Sequence, residues 1–172
     1  MTLDRDIVFG DDRRDHEDAI LLDALDAHAP AALQQLWARY GDVTYWAATA
    51  LTGDTAVATE AVVAAFVALE RSPDAARGGS LCQHLVTTVR QECLRAGAPP
   101  GPTAPREAIP ADGTAEACRS AVRGFTDQQL TAVALVMSQK YRSRQAARSL
   151  GVPHSTVCGL LREALTTLAV HA

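Results

Sequence analysis

Two runs of polar residues flank a short break near the end of the chain. Arg142, Ser143, Arg144 and Arg148 precede Gly151-Val152-Pro153, and His154, Ser155, Thr156 and Arg162 follow it. Guanidinium and hydroxyl groups at this spacing suit the binding of a polyanion rather than the making of bonds. Arginines pair with phosphate oxygens, and a Ser or Thr at a helix start donates beside free backbone N–H groups. The residues between them have the rhythm of a helix-turn-helix. Ala147 is small where two helices must cross, Gly151 suits a left-handed turn, and Val157 anchors the second helix. Leu150, Val152 and Leu161 fill the remaining core positions. A helical hairpin in a bundle would also accept AARSLGV, but the Ala-Gly-Val spacing together with the Ser-Thr pair favours DNA binding. The second helix, HSTVCGLLREAL, holds one arginine, one glutamate and no lysine. The positive charge therefore sits on the supporting helix.

Other chemistry is hard to build from this chain. No Ser/His/Asp arrangement, paired-carboxylate site or phosphate loop stands out, and the five histidines are scattered. The cysteines Cys82, Cys93, Cys118 and Cys158 form no CxxC pair. Cys82, His84 and Cys93 are in principle three metal ligands, but thiols on helices in a reducing compartment are the simpler account. The expectation is a protein that is not an enzyme and needs no cofactor or metal.

The elements that must position these residues follow from composition. In 172 residues, 48% are apolar and only 5% aromatic, with alanine and leucine dominant. Both are strong helix formers, and no stretch alternates as a half-buried strand does, so the fold class expected is all-α. The segment AGAPPGPTAPREAIPADG, 96–113, holds five prolines and three glycines, a density no helix or strand tolerates. It divides the chain into a tail at 1–15, a helical unit at 16–95, the linker, and a second helical unit at 114–172. The first unit predicts four helices, with Pro30 opening the second, Asp54 capping the third and Ser80 capping the fourth. Leu33, Leu36, Trp37, Tyr40, Val43 and Ala47 form the expected buried stripe of the second helix, and Leu81, Leu85, Thr88 or Val89, and Leu94 that of the fourth. In the second unit Thr126 caps one helix, Ser143 caps the next, and VPHS makes the turn. Charge follows the same division. Eight arginines face fifteen acidic residues in 1–95, whereas seven basic residues face three acidic ones in 113–172. Such asymmetry points the C-terminal unit toward a polyanion. No apolar run approaches the length that spans a bilayer, and the first residues lack an apolar signal core, so a cytoplasmic protein without membrane insertion is expected.

This layout resembles the extracytoplasmic-function type of bacterial sigma factor, which carries sigma domains two and four. The resemblance runs from about His16 to about Val170. It rests on HAPAALQQLWARYGDVTYWAATALTGD followed by VATEAVVAAFVALER, and on FTDQQLTAVALVMSQKYRSRQAARSLGVPHSTVCGLLREALTTL. It implies binding to core RNA polymerase and to promoter DNA, with an anti-sigma factor as a possible further partner. Glu60, Val63 and Phe66 fall in the polymerase-binding slots. His84, Arg90, Gln91 and Arg95 fall on the promoter-melting helix. Arg142, Arg144, Arg148, His154, Ser155, Thr156 and Arg162 would serve the minus-thirty-five contact. Val63 stands where the family usually has glutamine, His84 where it has tryptophan, and Cys158, Gly159 and Leu160 where Lys, Ser and Arg are usual. These departures define the alternative expectation, a sigma-like regulator that works by protein–protein interaction with weak or no promoter activity.

Overall fold

The Ala- and Leu-rich segments form helices wherever a cap, a proline or a glycine sets an end. The computed structural model describes residues 11–99, 115–138 and 141–169. Its α-helices are α1 Asp11–Asp26, α2 Pro30–Thr52, α3 Thr55–Arg71, α4 Leu81–Arg95, α5 Ala115–Arg123, α6 Asp127–Met137, α7 Ser143–Leu150 and α8 His154–Ala169. A 3-10 turn at Pro73–Ala76 leads from α3 toward α4. The fold is all-α, and no strand occurs among the described residues. Most of the expected linker and the first ten residues lie outside the described residues. Helix α1 begins before His16, where the folded unit was expected to start.

Side chains close the helix ends as their types require. Gly53 ends α2 in the left-handed region at φ 69°, and its N–H donates to Thr49. The Asp54 carboxylate then accepts from the N–H groups of Ala56 and Val57 at 2.7 and 3.1 Å, opening α3. Ser80 caps α4 by accepting from the Gln83 N–H. Thr126 and Gln129 exchange two hydrogen bonds at the start of α6, a capping box. Two expectations shift by one residue. Ser143 is the first residue of α7 rather than its cap, and Gln145 Oε1 accepts the Arg142 N–H at 2.8 Å instead. His154, expected in the turn, is the first residue of α8.

Helix α2 lies at the centre of the N-terminal unit. Leu36, Val43, Ala47 and Leu51 pack against Val62, Ala65, Phe66 and Leu69 of α3 and Leu85, Val86 and Val89 of α4. Each fully buried leucine is worth roughly 1.5–3 kcal/mol, more than an exposed ion pair at ~0–1 kcal/mol, so packing holds the unit together. Two expected core residues are not there. Leu94 is 43% exposed because the buried stripe of α4 steps through Cys82, Leu85 or Val86, Val89 and Cys93, which places Leu94 past its edge. Burial pushes the Cys93 thiol up to about 11. Trp37 is 45% exposed and lies over Gly41 on the outer side of α2.

The second unit does not stand apart. Helices α5 and α6 pack on α2, and α6 also covers part of α4. Leu130, Ala134 and Leu135 of α6 join the same continuous core as Leu36 and Leu85. Polar bonds cross the seam as well. Arg123 Nε donates to the Leu51 carbonyl at 2.9 Å, and Ser80 Oγ donates to the Ser149 carbonyl at 2.6 Å. Arg123 thus complements the negative C-terminal end of α2.

Candidate nucleic-acid and protein interfaces

The joint between α7 and α8 is built as the sequence requires. Gly151 takes φ 63°, which a residue with a Cβ adopts only under strain. Its N–H reaches the Arg148 carbonyl and the Val152 N–H reaches the Ala147 carbonyl, a paired closure that stops α7 within one residue. Ala147 and Val157 are buried at the crossing. Pro153 provides the carbonyl that starts α8, accepting from Thr156 and Val157.

This joint places the candidate DNA contacts on open surface. Arg142, Arg144, Arg148, His154, Ser155, Thr156 and Arg162 are all exposed. Arg144 and Arg148 are one turn apart on α7. Ser155 and Arg162 share a face of α8, with Cys158 between them. His154 is the least available of the set. Its Nε2 lies 3.0 Å from Ser143 Oγ and 3.4 Å from Cys158 Sγ, so the ring is folded back toward α7. Chemically, the surface offers guanidinium charge beside the N-terminus of α8. Among the described residues no cluster of three metal-ligating side chains occurs.

A second surface lies on α2 and α3. Glu60 and Val63 are exposed, but Phe66 is buried at 2% and supports its neighbours from below. Its ring meets Trp37 with centroids 4.8 Å apart at 53°. The pair holds the indole in one place on the surface. Trp37, Tyr45 and Val63 are three large apolar side chains left exposed on these two helices. Trp37 was assigned to the core by its spacing, so this outward role was missed. The signal available was its place at the edge of the stripe, next to the fully buried Leu36.

Helix α4 divides its four candidate residues between two sides. Gln91 and Arg95 are exposed, and Arg95 pairs with Glu92 at 2.6 Å. His84 shares their side of the helix but is half-buried, and that burial holds its imidazole below the usual histidine range. Arg90 points the other way, toward α6. Its side chain is only 20% exposed, and its Nε lies 3.2 Å from Asp127 Oδ1. Asp127 Oδ2 accepts from Thr87 Oγ1 at 2.9 Å. Burial lowers the Arg90 pKa, and Asp127 opposes that shift. Neither Thr87 nor Asp127 stood out in the sequence, since only the meeting of α4 and α6 gives them a role.

The chain matches no family model, no curated protein and no solved structure. No described helix is long and apolar enough to cross a membrane.

Proposed function

We propose that the chain is a sigma factor of the extracytoplasmic-function type, which brings core RNA polymerase to selected promoters. One observation carries the reading. The α7–α8 pair has Ala147 and Val157 buried at its crossing, Gly151 in the left-handed turn, and its polar residues exposed. The first unit is consistent with a protein-docking role, since Trp37, packed on Phe66, and Val63 are both exposed on it.

Magnitudes decide how such a protein would work. Affinity for DNA comes mainly from phosphate neutralisation, and each lost contact lowers the salt slope by about 0.9. With its cations on α7 and only Arg162 on α8, the C-terminal unit is a weak reader as a free chain. Tethering on polymerase raises its effective concentration to the millimolar range, which compensates for missing contacts. The role proposed for α8 is therefore to confirm a promoter already held near it.

Co-purification with core polymerase, followed by transcription from a library of promoters, tests the proposal. A stable complex and promoter-specific transcripts are expected. Absence of a complex at low salt overturns it. A second reading, a sigma-like regulator acting on another transcription protein, is favoured by the cover that α6 places over Arg90. It predicts a tight protein partner other than polymerase and no promoter activity.

A further inference from the structure

Among the cysteines whose side chains the structure describes, Cys82 and Cys93 are sealed and Cys158 is open. Cys82 and Cys93 are each 1% exposed, and burial keeps the Cys93 thiol protonated. Cys158 is half-buried on the open face of α8. Its surroundings are those of a reactive thiol rather than a packing one. His154, one turn earlier, places Nε2 3.4 Å and Nδ1 4.0 Å from Cys158 Sγ. Ser143 of α7 holds the same Nε2 at 3.0 Å, so the neighbouring helix fixes the ring against the thiol. Cysteine reacts as the thiolate, and a base in contact with the thiol can take its proton as it attacks. Beside this cluster α8 carries a shallow depression lined by Ser143, Cys158, Leu161, Arg162, Leu165 and Thr166. Among these described residues Arg162 alone is a cation, and it lies one turn beyond the thiol. A nucleophile, a base and a cation thus meet on open surface, a set that suits a small anionic electrophile.

We infer that Cys158 is a site of thiol–disulfide exchange with an anionic low-molecular-weight disulfide, with His154 as its base, and that the adduct closes the α8 face to DNA. The consequence for DNA rests on the helix-turn-helix reading, whereas the exchange site does not. In the step, the thiol proton passes to the His154 imidazole and Sγ attacks one sulfur of the disulfide. One S–S bond breaks and another forms. The leaving thiolate takes the proton from the imidazolium and departs as a free thiol. The disulfide is itself the oxidant, so the exchange balances without another reagent. Arg162 pairs with a carboxylate of the incoming half. The adduct then lies between Ser155 and Arg162, sets negative charge against the DNA phosphates, and withdraws the single arginine of α8. Excess reduced thiol reverses it.

The test incubates the full chain with glutathione disulfide near neutral pH and follows the adduct by intact mass and peptide mapping. Adduct is expected at Cys158 well ahead of Cys82 and Cys93. His154→Ala should slow it by about tenfold, less than the hundredfold or more of a fully aligned base. Added imidazole should recover part of that loss, which a merely structural role for the ring would not allow. Arg162→Gln should slow the reaction with glutathione disulfide but not with cystamine, a cationic disulfide. In parallel, binding of a fluorescent DNA duplex at low salt should weaken at least about fivefold in the adduct, the smallest cost of losing one good base contact, and return with dithiothreitol. Cys158→Ser should bind as the reduced chain does and lose the response to disulfide. An undiminished rate in His154→Ala, or duplex binding that ignores the adduct, overturns the inference. A chain that takes the adduct as described but binds duplex in neither form sinks the helix-turn-helix reading and leaves the exchange site standing. One that binds duplex but takes no adduct at Cys158 sinks only the exchange site.

Discussion

Arg119 lies so close across Gly53 that a Cβ on the glycine would meet Arg119 Cδ at 2.7 Å. A side chain at position 53 would have to push the flexible end of Arg119 aside. Gly53 also sits at φ 69°, where an L side chain is strained. Gly53→Ala is expected to lower the free energy of unfolding by about 1–3 kcal/mol. Urea titration measures this. Adding Arg119→Ala should recover the part due to the clash and leave the part due to φ. Full recovery would mean that backbone strain is unimportant here.

Tyr40 and Asp18 form the buried polar joint between α1 and α2. The phenol donates to Asp18 Oδ2 at 2.5 Å, and Arg39 holds the other oxygen at 2.6 Å. Burial, and next to it the Asp18 charge, raise the Tyr40 pKa, so the group stays a donor. Tyr40→Phe leaves one carboxylate oxygen unpaired in the core. It should cost about 1–3 kcal/mol, read as a lower urea midpoint with an unchanged slope. A neutral result would mean that water reaches the carboxylate.

The α2–α3 surface separates binding from stability. Val63→Glu changes an exposed side chain and should alter stability by less than about 0.5 kcal/mol. On the proposed function it should nonetheless abolish capture of core polymerase, because it places charge in an apolar contact. Pull-down with unchanged thermal unfolding is the expected pair of results. Normal capture by this variant would move the docking surface elsewhere.

His84 supplies a pH dependence with a defined sign. Burial lowers its pKa in the folded chain below the ordinary 6.5. Between the two values the unfolded chain binds more protons, so stability rises with pH in that window. The contribution is complete above the unfolded value and is lost as pH falls through about 6.5 and below. His84→Gln should therefore narrow the difference between urea midpoints at pH 7.5 and 5.5. An unchanged difference would show that other groups carry the acid sensitivity.

Much of the local structure was legible before the fold. Asp54, Ser80, Thr126 and Gly151 act at helix ends because their conformational preferences are intrinsic and need no distant partner. The stripe of α2 was read correctly at Leu36, Val43 and Ala47, yet Trp37 faces outward. Periodicity locates an apolar face but not its edges, and Trp37 lies on an edge where Phe66 supports it. Leu94 failed for the same reason, with Cys93 taking the buried place.

The sequence alone determined the helices, most of their caps, the α7–α8 joint and the uneven charge, since all of these arise from neighbours within a few residues. The tertiary structure alone decided how α6 would lie on α4, and with it the fate of Arg90. Residues on opposite sides of the linker, Thr87 and Arg90 on one and Asp127 on the other, share a site only when two helices pack. No spacing rule in the chain encodes that meeting, because it is set by the shape and burial of whole helix faces.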